Sequence, residues 1–118
     1  MGETLPSGGI FPAFFLEIIF SFVLMFVILN VSTGHMEKGI MAGVAIGGTV
    51  ALEALVGGPI SGASMNPARS LGPAVLTGDF SSLWIYLTAP LLGMLLASPT
   101  CRLIQGNDCC AVAEREKE

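Results

Sequence analysis

The stretch GGPISGASMNPARSLGPAVLTGDF, residues 57–80, decides how the rest of the chain is read. It is moderately hydrophobic, yet its glycines and prolines punctuate it into turns. From Pro67 to about Leu76 it predicts a short helix, expected over 67–76. Asn66 suits the N-cap. Pro67 suits the first helical position, where its missing N–H would have had no partner anyway. About ten residues give roughly 15 Å of helix, near half the hydrocarbon thickness of a bilayer. A half-length apolar helix with a polar tip is what a re-entrant segment needs. Irregular backbone survives at membrane depth only where protein buries it or a wet cavity adjoins it.

Working outward, apolar runs flank this connector and predict membrane spans at about 10–31, 39–56 and 83–104. Each is near the roughly 20 residues a spanning helix needs. The first, PAFFLEIIFSFVLMFVIL, has almost no polar face and breaks only at Glu17 and Ser21. Composition agrees. Of 118 residues, 53% are hydrophobic and 12% charged, and a soluble domain this short has too little interior for so much apolar surface. The expected fold is all-α and membrane-embedded: three transmembrane helices plus one re-entrant half-helix over 10–106. Residues 1–9 form an outward segment and 107–118 a tail. Residues 1–9 also lack the basic start of a signal peptide.

Positive charges set the expected orientation. His35 and Lys38 lie in the first connector; Arg102, Arg115 and Lys117 lie at or beyond the end of the third span. Two spans separate the groups, so both fall on one side, the cytoplasmic one. Net charge is -4, with Asp108, Glu114, Glu116 and Glu118 after the last span. Five Lys and Arg with no basic run point away from nucleic acid. No nucleophile–base pair, metal cluster or phosphate-binding loop points to an enzyme, and no cofactor is implied. Cys101, Cys109 and Cys110 form no CxxC pair and are odd in number, which reads as free thiols, with palmitoylation of Cys109 or Cys110 the alternative.

Small residues recur at helical spacing: Gly39, Gly43 and Gly47 in the second span, and Ala89, Gly93 and Ala97 in the third. Such spacing lets helices approach closely in lipid, although glycine is common in membrane helices in any case.

The chemistry gathers at Ser64-Met65-Asn66-Pro67-Ala68-Arg69-Ser70. An asparagine amide carries two N–H donors. At the tip of a half-helix near the midplane it can aim a donor into a lumen, where the helix N-terminus adds partial positive charge. Water or an alcohol accepts that bond; a cation meets an unfavourable field. In a soluble protein Asn-Pro is more simply a turn. Arg69 is an intramembrane charge, hence a candidate pore residue, the alternative being a residue that caps loop carbonyls or snorkels outward.

The string SGASMNPARSLGPA resembles the second signature loop of the aquaporins and aquaglyceroporins, the major intrinsic protein family, in a nodulin-type or bacterial flavour. The resemblance covers nearly the whole chain, including Glu17, the glycine-rich second span and LWIYLTAPLLG (83–93). It implies that Asn66, Pro67 and Ala68 are the second NPA motif and that Arg69 is the arginine of the outer filter. Ala63 then takes the filter's loop position and Ala54 its helix position. Two alanines leave that constriction wide and apolar, which favours glycerol, urea or metalloid hydroxides alongside water. Ser70, where glycerol facilitators carry aspartate, is the water-channel choice. Glu17 matches a buried glutamate that braces the loop backbone, with a proton relay as the competing idea. Glu53 has no family role, and His35 reads as a solvated loop residue.

The family fold has two inverted repeats, and this sequence resembles the second. The expectation is a passive channel segment in the lipid bilayer, of a plasma membrane or bacterial inner membrane. It conducts water and small neutral solutes once paired with a complementary half or with copies of itself; full-length relatives form tetramers. Two other readings stand beside it: a non-conducting module that co-assembles with full-length channels, and half of a secondary transporter coupled through Glu17 or Glu53.

Overall fold

The structure is a computed structural model that describes residues 4–33 and 40–106. Four helices follow in order: α1 (Ile10–Thr33), α2 (Ile40–Ser61), α3 (Pro67–Thr77) and α4 (Leu83–Gln105). The three long helices have 24, 22 and 23 residues, each long and apolar enough to cross a bilayer; α3 has 11. At about 1.5 Å per residue that makes three spans and one half-span.

The helix α1 lies at the centre, with α4 along one side and α2 along the other, while α3 rests against α4. Small residues decide these approaches. A side chain at Gly93 would strike the carbonyl of Ile18 and the amide of Phe22, so α4 lies directly on the α1 backbone. Ala89, Ala97 and Cys101 continue that fully buried stripe. On the other side Gly57 of α2 receives the ring of Phe20. At the far end Asn30 of α1 accepts a hydrogen bond from Gln105 of α4.

The outer surface is as apolar as the core. Phe11, Phe15, Ile19 and Val23 stand exposed one turn apart along α1, and Leu52, Leu55 and Val56 stand exposed on α2. Only 11% of the most apolar window of α2 is buried. A helix apolar all round with so little cover needs lipid or further protein around it.

The second helix runs past Val56 to Ser61, beyond the expected end of its span. Pro59 costs it one bond to Leu55, but near the helix end that loss is small. Burial of Gly57 and Ser61 against α1 carries the helix on. Gly39, His35 and Lys38, like the tail, lie outside the described residues. Cys101 is disulfide-bonded, which corrects the free-thiol expectation there.

Candidate functional site

The site is the turn joining α2 to α3, with the first turn of α3. Gly62, Ala63 and Met65 all have positive φ, at 83°, 44° and 53°. For alanine and methionine that conformation costs roughly 1–2 kcal/mol each. The opposing force is Glu17, a fully buried carboxylate of α1. Its Oε1 accepts the Ser64 N–H at 2.8 Å and the Ser61 hydroxyl at 3.0 Å, and its Oε2 accepts the Met65 N–H at 2.7 Å. Charge-assisted bonds of this kind are the strong ones, and they leave no turn donor stranded away from water. The Ser61 hydroxyl also accepts the Ala63 N–H at 3.1 Å, and the Tyr86 hydroxyl of α4 donates to the Ser61 carbonyl. Below the turn, Phe20, Ala63 and Met65 form a buried apolar cluster flanked by Leu16 and Leu24.

The half-helix begins at Asn66, whose backbone is extended at φ −151° and ψ 119°. Its Oδ1 accepts the Ala68 N–H at 2.9 Å, with Pro67 following at the start of the helix. That fixes the amide. Its oxygen is turned to the helix and its two N–H donors are left for the exposed side, where the orphan amides of the first turn add partial positive charge. At the other end Gly78, at φ 75°, closes α3 by donating its N–H to Ala74 at 2.9 Å.

Arg69 is exposed at the same end of α3 and donates from its guanidinium to the Ala63 carbonyl. Backbone, not a carboxylate, positions the charge. The structure therefore joins Arg69 to Ala63 through the carbonyl, while the Ala63 methyl is buried. Ala54 stands exposed on α2. Glu53 faces inward with Gly57 and Ser61, and neither of its carboxyl oxygens has a hydrogen-bond partner among the described residues. Gly43 and Gly47 have nothing within 4 Å of where a side chain would begin. Among the described residues, no three His, Cys, Asp or Glu side chains gather to hold a metal ion.

Some of the machinery was not singled out from the sequence. Tyr86 is the lone tyrosine, set in an apolar span, and a buried phenol needs a partner; that signal was available. The run Glu53, Gly57, Ser61, at steps of four, marks the inner face of α2. Thr4 carried no comparable mark, and Ser64 and Ser70 stand out in the sequence as members of the motif, not as hydroxyls bonded to each other.

Three apolar spans, a half-length helix with an asparagine cap and a turn before it braced by a buried carboxylate define an all-helical membrane protein of the re-entrant kind. Comparison with known proteins makes the identity specific. The family model described as Major intrinsic protein matches residues 3–100. Nodulin-26 of Glycine max is 46% identical over 105 residues, which cover 89% of this chain and 39% of the relative. Aquaporin NIP6-1 of Arabidopsis thaliana is 46% identical over 104 residues, covering 88% and 34%. Aquaporin NIP1-1 of Oryza sativa subsp. japonica is 51% identical over 90 residues, covering 76% and 32%. The chain belongs to the major intrinsic protein family, the aquaporins, and these relatives are of the nodulin kind. It spans about a third to two-fifths of their length.

Proposed function

We propose that this chain forms half of a passive transmembrane channel for water and small uncharged solutes such as glycerol, urea or metalloid hydroxides. The observation that carries the reading is Asn66. Its Oδ1 is taken by the Ala68 N–H, so the amide presents only donors to the exposed side of the half-helix tip. A hydroxyl or water oxygen can accept from that amide. A cation would face donors, the positive end of α3 and the Arg69 guanidinium together. At the filter position that the family resemblance gives it, Ala54 brings a small side chain, which favours solutes larger than water. The family of the relatives supports the same class of transport.

The other half of the wall would come from a complementary repeat or from copies of this chain. The open flank of α2, with Gly43 and Gly47 uncovered, is the surface such a partner would meet. The cytoplasmic placement of the tail, in a plasma membrane or bacterial inner membrane, belongs to the same proposal.

Stopped-flow light scattering on liposomes tests it, with the chain alone and with a complementary first repeat. Osmotic water and glycerol flux above empty vesicles in either arm supports the channel. With Arg69→Ala the reading expects proton leak to rise, followed with an internal pH dye. Verified insertion in both arms with no flux in either would leave a non-conducting module.

A further inference from the structure

Residues 4–9, which precede α1, form a strap against the end of α2 and the turn that joins it to α3. The Gly8 N–H donates to the Ile60 carbonyl at 2.9 Å. The two segments touch so closely that a side chain at Gly8 would overlap Ile60, and one at Gly62 would lie 3.1 Å from the Thr4 Cα. From this strap a line of hydroxyls leads inward. Thr4 Oγ1 lies 2.7 Å from Ser70 Oγ, and Ser70 Oγ lies 2.5 Å from Ser64 Oγ. Ser64 Oγ donates to the Asn66 carbonyl at 2.8 Å.

A hydroxyl has one proton to give, so the direction of the line follows. Ser64 spends its proton on Asn66, so Ser70 must donate to Ser64. Ser70 has then spent its own, so Thr4 must donate to Ser70. The chain runs one way, from Thr4 to the carbonyl of the cap residue, and each bond polarises the next. Ser64 and Ser70 are each 3% exposed, which keeps water from substituting for them.

We infer that Thr4 is a positioning residue for the Asn66 tip. Acting through Ser70 and Ser64, it fixes the cap residue and thereby the aim of the amide. Thr4 itself meets no solute. The consequence for transport rests on the channel reading above; the positioning does not.

The test therefore has two arms, on the 118-residue chain in lipid vesicles, the second run both with the chain alone and with a complementary first repeat. The first follows hydrogen exchange at the Ala68 amide, whose N–H is held by the Asn66 side chain. Thr4→Ala should speed that exchange about fivefold, the factor carried by one net hydrogen bond, with α4 amides unchanged. Ser70→Ala should do the same, and the double variant should add nothing. Thr4→Ser should restore the parent rate. Thr4→Val, which keeps the shape against Gly62 but lacks the hydroxyl, should behave like Thr4→Ala and serves if the alanine variant fails to fold. The second arm is the glycerol-to-water permeability ratio, expected to shift in Thr4→Ala and to return in Thr4→Ser. Unchanged Ala68 exchange in the alanine and valine variants, or no rescue by serine, overturns the inference. Changed exchange in a chain that conducts neither alone nor with a complementary first repeat upholds the positioning and overturns the channel reading instead.

Discussion

Glu17 reaches from the middle of α1 to accept the backbone N–H of Met65 at 2.7 Å, across 48 positions of sequence. Met65 is the residue that turns the chain, at φ 53°, into the half-helix. A buried acid on one span thus holds in place the strained backbone of another segment, and the Asn66 tip stands on that support.

Glu17→Gln should destabilise the fold by about 2–3 kcal/mol, since the amide group that replaces one oxygen confronts a backbone donor it cannot satisfy. Equilibrium unfolding in mixed detergent micelles measures this. Glu17→Ala should cost at least as much. A glutamine variant as stable as the parent would contradict the bracing role.

Glycine substitutions should rank by what they strike. Gly93→Ala meets α1 backbone and should cost about 3 kcal/mol; Gly57→Ala meets the Phe20 ring, which can turn, and should cost about 1–2 kcal/mol. Gly43→Ala meets nothing and should stay within about 0.5 kcal/mol of the parent. The same unfolding assay reads all three.

Tyr86→Phe should cost about 1 kcal/mol through loss of the bond to the Ser61 carbonyl, with the ring otherwise in place. In difference spectra, tyrosine absorbance of the parent should report transfer to water only on unfolding.

Asp79, in the connector between α3 and α4, is held below the ordinary aspartate range by the Ser81 hydroxyl at 2.7 Å and then by the Ser81 N–H at 3.0 Å. Its folded value is lowered. The stabilisation is therefore present above the unfolded value and is lost as pH falls through the folded one. Carboxyl carbon shifts should show Asp79 titrating below a free aspartate. Ser81→Ala should move it partway back, because the backbone donor remains.

Much of the fold was legible in the sequence because lipid imposes simple demands. Runs of about 20 apolar residues became α1, α2 and α4, and Asn66-Pro67 marked the start of α3 through capping chemistry that is local. The Gly93 stripe could be read from spacing. Contacts between distant segments were less accessible. Nothing in the order of residues says that Gly57, and not Gly43 or Gly47, would receive Phe20; that depends on which face of α2 turns to α1. The end of α2 was placed too early because glycine and proline read as breakers, while packing against α1 carried the helix to Ser61. The hydroxyl line from Thr4 to Asn66 joins residues as far as 66 positions apart, through serines and a threonine whose contact no motif marks.

The central claim is that solute passes the Asn66 amide. The most direct measurement is osmotic glycerol flux by stopped flow, in vesicles where the parent chain conducts, comparing it with Asn66→Asp. The substitution keeps the oxygen that caps Ala68 but replaces the two N–H donors with a second acceptor. The account predicts a glycerol flux at least about tenfold lower, the factor that about 1.4 kcal/mol represents and that loss of one hydrogen bond can reach, with insertion and Ala68 exchange unchanged. Undiminished flux in a correctly inserted Asn66→Asp chain would contradict it.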